Sequence, residues 1–141
     1  MALIPLNTFK TKTTMLTTAT IDDLYVSTAT NKTNAITIYT APVGVTSIVL
    51  MAQISNISDE NQTITVAHWR NKTVLRDAQG YGYQAGKTPS ILVKDFVIPP
   101  NDAASVLSGK LIIEELDSIR AYASTTGTCQ VVLSILETAN E

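Results

Sequence analysis

Apolar and polar positions alternate along most of this chain, in segments rich in β-branched residues. Successive side chains of a strand point to opposite faces of a sheet, so this alternation predicts strands. No segment of helical length has an apolar residue recurring every three to four positions. Gly, Pro, Asn and Asp separate the predicted strands, which cover residues 36–40, 47–55, 62–69, 91–98, 110–115, 118–124 and 128–138. The pattern predicts an all-β antiparallel β-sandwich, of jelly-roll or immunoglobulin-like topology, and does not choose between the two.

Two of the predicted strands differ from the others in being apolar on both faces. Residues 47–55 are apolar on both faces toward their start, and residues 128–138 are apolar at nearly every position. A strand of this composition is typical of the centre of a sheet that is covered on both sides. We therefore expect both segments to be central strands.

The N-terminal segment 1–33 is rich in Thr and poor in large apolar residues, and it is expected to form an extended arm or edge strand. The sandwich domain is then expected to span residues 34–141. In one interpretation the arm folds as an edge strand on its own sandwich. In the other it adds a strand to a neighbouring subunit, with Phe9, Met15 and Leu16 as apolar anchors in the partner.

Charge and hydrophobicity restrict the partners of the chain. It is 45% hydrophobic and 16% charged, a composition that favours a packed core over disorder. The net charge of −2 provides no basic surface for a phosphate backbone, so we expect no nucleic-acid partner. No basic leader with an apolar run opens the chain, and no apolar run is long enough to cross a bilayer, so no membrane partner is expected. So few charges also suggest that much of the outer surface is covered by something else.

The residues that could carry chemistry are few. His68 shares one face of its strand with Ile64 and Val66, which indicates a core or interface histidine rather than a base. Cys129 lies among apolar residues, which indicates a buried structural thiol. One His and one Cys cannot form a metal cluster, and no interleaved calcium loop is present. We therefore expect no catalytic residue, no metal and no cofactor.

A Gly-rich loop at 80–86 contains two tyrosines, Tyr81 and Tyr83. Tyr provides a large amphipathic contact surface, and Gly keeps the backbone adaptable, a composition that recognition loops favour. We predict that Tyr81 and Tyr83 contact a partner. The partner is expected to be protein, and a glycan stacked on the rings is the alternative, which would make the chain a carbohydrate-binding module.

The C-terminal third has a characteristic order of short motifs. A Pro-Pro-Asn segment at 99–101 precedes a Gly-Lys-Leu strand at 109–111, an acidic turn with Asp117-Ser118, an Ala-rich strand and a final strand reading V-V-L-S-I-L-E. This order resembles a pattern that is common in small virion structural proteins of tailed bacteriophages. The segments 2–11 and 38–50 are similar to the same family. Its members often have Gly before the Asp of the acidic turn, where this chain has Leu116.

The resemblance implies a non-enzymatic β-sandwich component of the virion that is assembled in the bacterial cytoplasm. A decoration or cement protein that stabilises the phage head is the first choice, and a neck, tail or baseplate component is the runner-up. The implied partners are the major capsid protein or other virion proteins. A homo-oligomer is also implied, with a trimer among the arrangements considered.

Overall fold

A computed structural model of the chain describes residues 7–18, 36–70 and 88–139. These residues form strands and connecting turns without a helix, arranged as two antiparallel sheets, which confirms the predicted all-β sandwich. The strands are β1 (Asn7–Met15), β2 (Ile36–Thr40), β3 (Val45–Asn56), β4 (Gln62–Arg70), β5 (Thr88–Ile98), β6 (Ala103–Ser105), β7 (Leu111–Ile113), β8 (Ser118–Ala123) and β9 (Cys129–Ala139).

The first sheet, sheet A, has the strand order β1-β9-β3-β6, and β7 also pairs with β3. The second sheet, sheet B, has the order β2-β8-β4-β5. The two long apolar segments are β3 and β9, which pair with each other along almost their whole length at the centre of sheet A. Both are therefore central strands, as predicted.

The core lies between the sheets and is built from alternate residues of the strands. On β9 these residues are Val131, Leu133 and Ile135, and each is about 1% exposed. Their alternation with less buried neighbours fixes the register, because a one-residue slip would turn the apolar set to the outside. Sheet A also contributes Val49, Ala52, Ile54 and Ile113 to the core, and sheet B contributes Ile64, Val66, Ile98, Ile119 and Ala121.

The N-terminal strand β1 is an edge strand of its own sandwich. It pairs with β9 from Asn7 opposite Thr138 to Met15 opposite Gln130. The arrangement of residues 7–15 is that of the first interpretation given above. Pairing of the arm with a neighbouring subunit concerns an assembly and stays a prediction.

Leu16 differs from its predicted role as an anchor in a partner, because it is fully buried in the core of its own sandwich. The chain turns inward after β1, and the backbone fixes this turn by two hydrogen bonds. The Leu16 N–H donates to the carbonyl of Cys129 at 2.9 Å, and the Leu16 carbonyl accepts from the N–H of Gly127 at 3.0 Å. A polar N-terminal segment thus contributes one large apolar side chain to the core.

The acidic turn between β7 and β8 has an uncommon backbone. Leu116 has a φ of +64°, in the left-handed region that favours Gly, although no Gly is present there. The turn is fixed by the N–H of Asp117, which donates to the carbonyl of Glu114 at 3.0 Å. The N–H of Leu116 donates to the carbonyl of Ala41 at 2.8 Å, so the turn also binds to the β2–β3 connection.

Candidate assembly surface

The outward face of sheet A carries no charged side chain at any position of its described strands. Because β9 alternates, the residues between the buried Val131, Leu133 and Ile135 point away from the core. The pairing register extends this face to the neighbouring strands. Its members are Asn7, Phe9, Thr11, Thr13 and Met15 on β1; Gln130, Val132, Ser134, Leu136 and Thr138 on β9; Thr46, Ile48, Leu50, Met51, Gln53 and Ser55 on β3; Ala103 and Ser105 on β6; and Ile112 on β7. We call it the charge-free face.

Four apolar side chains form a continuous line across the charge-free face. Phe9 lies opposite Leu136, Leu136 lies opposite Ile48, and Ile48 lies opposite Ile112. Directly paired residues of neighbouring strands are in side-chain contact distance, so this apolar row crosses the sheet from β1 to β7. Phe9 is 75% exposed and Ile112 is 59% exposed, whereas Leu136 and Ile48 are half-buried between them.

A bulge in β3 widens the apolar area beside this row. The pairing of β3 with β9 shifts between Val49 and Met51, which leaves Leu50 as the extra residue. A bulge of this kind presents two adjacent side chains toward one face of the sheet. Leu50 and Met51 are accordingly both exposed, at 37% and 38%. The result is a contiguous apolar patch, the type of surface that marks an interaction site in soluble proteins.

Sheet B differs from sheet A, because its own outward positions are buried along β4 and β8. Thr65, Ala67 and Trp69 are at most 1% exposed, and Tyr122 is 8% exposed. The guanidinium of Arg120 lies 4.2 Å from the centre of the Trp69 ring, a cation–π geometry. The aromatic side chains of this face are therefore not available to a ligand.

Two of the edge strands, β1 of sheet A and β5 of sheet B, carry features that disfavour pairing with another chain. Lys10 and Lys12 lie on the inward side of β1, since Lys10 is opposite the buried Ile135. On β5 the register shifts twice, and Asp95 has a φ of +49° with its N–H donating to the Thr65 hydroxyl at 3.1 Å. Inward charges and bulges are devices that protect sheet edges from adding strands.

A buried polar network joins the two sheets behind the charge-free face. The hydroxyl of Tyr39 on β2 donates to a carboxylate oxygen of Glu137 on β9, and it lies 2.6 Å from the hydroxyl of Ser47 on β3. Lys10 completes the network at 3.0 Å from Glu137, beside an open cleft of about 280 Å³. Burial alone would raise the pKa of Glu137, because it disfavours the charged carboxylate. The hydrogen bonds from Tyr39 and Lys10 have the larger opposite effect and hold this pKa below its usual value. Burial and the hydrogen bond to Glu137 raise the pKa of Tyr39.

His68 lies in a second polar cluster, at the end of β4. Its Nε2 is 3.4 Å from Oδ2 of the fully buried Asp117, and Nε of Arg70 is 3.5 Å from the same oxygen. Arg70 also reaches Glu114 at 3.3 Å. Burial lowers the pKa of His68 and outweighs the opposite effect of Asp117. The cluster connects β4 to the acidic turn. His68 therefore has a structural position between two elements of the fold.

The structure does not bring His68 and Cys129 together. Cys129 pairs with Asn56, whose side chain binds the loop that precedes β4, whereas His68 is near the end of β4. Burial raises the pKa of the Cys129 thiol, which keeps it protonated. Among the described residues, no group of three His, Cys, Asp or Glu side chains has the arrangement of a metal site. The same residues contain no helix with the length and hydrophobicity needed to cross a bilayer.

The predicted interface residues fall into three groups. Phe9 and Met15 lie on the charge-free face, Leu16 lies in the core, and Tyr81 and Tyr83 lie outside the described residues. The sequence prediction missed the other apolar members of the face, which are Ile48, Leu50, Met51, Ala103, Ile112, Val132 and Leu136. For the members on β3 and β9, the signal was present in the apolar character of both strand faces, which predicted strands covered on both sides.

Comparisons of this chain with family models, with curated proteins and with solved structures found no match.

Proposed function

We propose that this chain is a non-enzymatic structural component of a bacteriophage virion, which acts as a decoration or cement protein on the head. The observation that supports this proposal is the charge-free face of sheet A, with its exposed apolar row. A sandwich that presents one uncharged and partly apolar sheet to solvent is suited to a place where that sheet is covered by other subunits. The assignment to a virion follows the resemblance of the acidic turn and the final strand.

The polar clusters of the described residues are built for stability rather than for catalysis. Both are internal, and each one joins separate strands through a buried carboxylate, Glu137 or Asp117. A general base must be able to reach a proton on a substrate, and the neutral His68 is instead held against a fully buried partner. These contacts support a scaffold role.

Within the same class, a neck, tail or baseplate component requires the same kind of surface. The charge-free face supports assembly in general, and the choice of the head over these other locations follows the resemblance alone. A carbohydrate-binding module requires accessible aromatic rings. Tyr39, Trp69 and Tyr122 are buried, Phe9 and Phe96 are exposed, and Tyr81 and Tyr83 lie outside the described residues.

The test is the protein composition of purified particles from the phage whose genome encodes the chain. We expect mass spectrometry to find the chain at a fixed ratio to the major capsid protein, and a cryo-EM map to place its sandwich on the head. Density at the neck, tail or baseplate would replace the head assignment with the runner-up. Particles that contain no copy of the chain would overturn the proposal, and glycan-array binding by the isolated chain would favour the carbohydrate-binding alternative.

A further inference from the structure

We infer that the charge-free face of sheet A is the contact between two copies of this chain, packed sheet against sheet. This inference rests on the proposed function as an assembly component and names the partner of that surface. Four observations carry it: the absence of charge on the face, the continuous apolar row, the protected edges at β1 and β5, and the area available.

The absence of charge selects the partner. A partner with a charged surface would lose the hydration of its charges against a face that offers no opposite charge, and this loss would oppose binding. The partner surface must itself be uncharged and partly apolar. Among the described residues, the surface with these properties is the charge-free face itself.

Two-fold symmetry places identical surfaces against each other, so any charge on the face would lie near a like charge of the second copy. The members of this face are instead Thr, Ser, Asn, Gln and apolar residues, which can meet their own copies without repulsion. The apolar row can pack across the row of the second copy, because two twisted sheets stack with their strands rotated by roughly 30°. Phe9 and Ile112 lie at the two ends of the apolar row. They are its most exposed members, so they would bury the most surface in the contact.

The features of β1 and β5 disfavour strand addition at one edge of each sheet, and they favour packing through the face instead. Adding a strand at β1 would bring a new chain next to the inward Lys10 and Lys12, and adding one at β5 would meet a bulged backbone. Packing of two faces requires neither edge. The resulting dimer would contain four stacked sheets with the two charge-free faces at its centre.

The area is sufficient for a specific contact. Sheet A is four strand positions wide at about 4.8 Å each, and its long strands run about ten residues at about 3.3 Å, so the face covers roughly 600 Å². Two copies would therefore remove on the order of 1,200 Å² from water, which is at the lower end of stable interfaces. A reversible dimer is expected from this size.

Sedimentation equilibrium of the full chain tests the inference. We expect a concentration-dependent mass that approaches twice the 15.2 kDa of one chain. Phe9→Lys and Ile112→Lys should each raise the dissociation constant by about tenfold or more, since each replaces a large apolar contact with a charge. The matched control is Val43→Lys, because Val43 is 74% exposed, close to the 75% of Phe9, and lies in the β2–β3 turn rather than on the face.

All three positions are exposed, so the variants should keep the circular dichroism spectrum and melting temperature of the wild type. A wild-type chain that keeps the mass of one copy up to about millimolar concentration would overturn the inference. An equal effect of Val43→Lys and Phe9→Lys would overturn it as well. A monomeric wild type whose incorporation into particles is abolished by Phe9→Lys would show that the face binds another virion protein. A dimer that is absent from particles would instead contradict the proposed function and leave the dimer contact intact.

Discussion

Replacing Tyr39 with Phe removes one hydroxyl from the network that joins the two sheets. This hydroxyl donates to Glu137, which is 8% exposed, and lies beside the fully buried Ser47. A hydrogen bond to a charged group contributes about 1.5–3 kcal/mol to stability. We expect Tyr39→Phe to lower the free energy of unfolding by this amount at neutral pH, because the carboxylate stays buried after it loses a donor.

Lys10→Met provides the matched comparison, because Lys10 contacts the same carboxylate from a position where its side chain is 42% exposed. Solvent weakens such an ion pair, so its loss should lower the stability by less than about 1 kcal/mol. Urea denaturation followed by the fluorescence of Trp69, the single tryptophan of the chain, measures both variants. A cost of Tyr39→Phe at or below that of Lys10→Met would refute the assignment of the network as a buried bridge.

The pH dependence gives a second check of the same network. The pKa of Glu137 is lowered in the folded chain from its ordinary value of 4.5. The stability that the charged carboxylate adds is therefore present above pH 4.5 and is lost as the pH falls through the lower folded value. The difference between wild type and Tyr39→Phe should narrow in acid, and Glu137→Gln should remove the part of the pH dependence that this carboxylate contributes. An unchanged difference across this range would contradict the charged form of Glu137 as the acceptor.

Three further predictions concern the free chain. The stability of the wild type should decrease as the pH falls below 6.5, because His68 takes up a proton more readily in the unfolded chain than in the folded one. His68→Gln should remove this contribution to the pH dependence measured by urea denaturation. Leu16→Ala should lower the free energy of unfolding by about 2–5 kcal/mol because it leaves a cavity in the core, whereas Phe9→Ala should change it by no more than about 0.5 kcal/mol. Equal effects of the two variants would contradict the docking of β1 on its own sandwich. Leu116→Gly should raise the melting temperature. A left-handed backbone costs a non-Gly residue about 1–2 kcal/mol, and the larger entropy that Gly loses on folding offsets only about 0.5–1 kcal/mol of this gain. A lower melting temperature of the Gly variant would contradict the strained turn.

The alternation of the sequence was sufficient to predict seven of the nine strands of the described residues and the central members of sheet A. β3 and β9 were identified because their apolar runs require the middle of a sheet, and the structure places them there. Their apolar runs also predicted cover on both sides, whereas the outer face of sheet A carries the exposed Leu50 and Met51. Burial of that face cannot be deduced from the pattern, because an apolar strand has the same sequence whether its cover comes from its own chain or from another copy.

Long-range pairing was the other part that the pattern could not provide. The Thr-rich segment around β1 has the same local preference for extended backbone in either of its two interpretations. The partner of β1 is decided by the fit of Leu16 to the core and by the register with β9, which are properties of the folded chain. The short strand β6 escaped prediction for a similar reason, since three residues are too few to show alternation.

The antiparallel pairing of β1 with β9 also determines how the sandwich responds to mechanical load. Asn7 lies opposite Thr138, so the two ends of this strand pair are neighbours in the sheet. A force applied between them would open the pair like a zipper, one hydrogen-bonded rung at a time, instead of shearing all rungs together. This strand pair therefore resists little tension between Asn7 and Thr138. In the proposed virion role, load would pass through the faces of the sheets rather than along this strand pair.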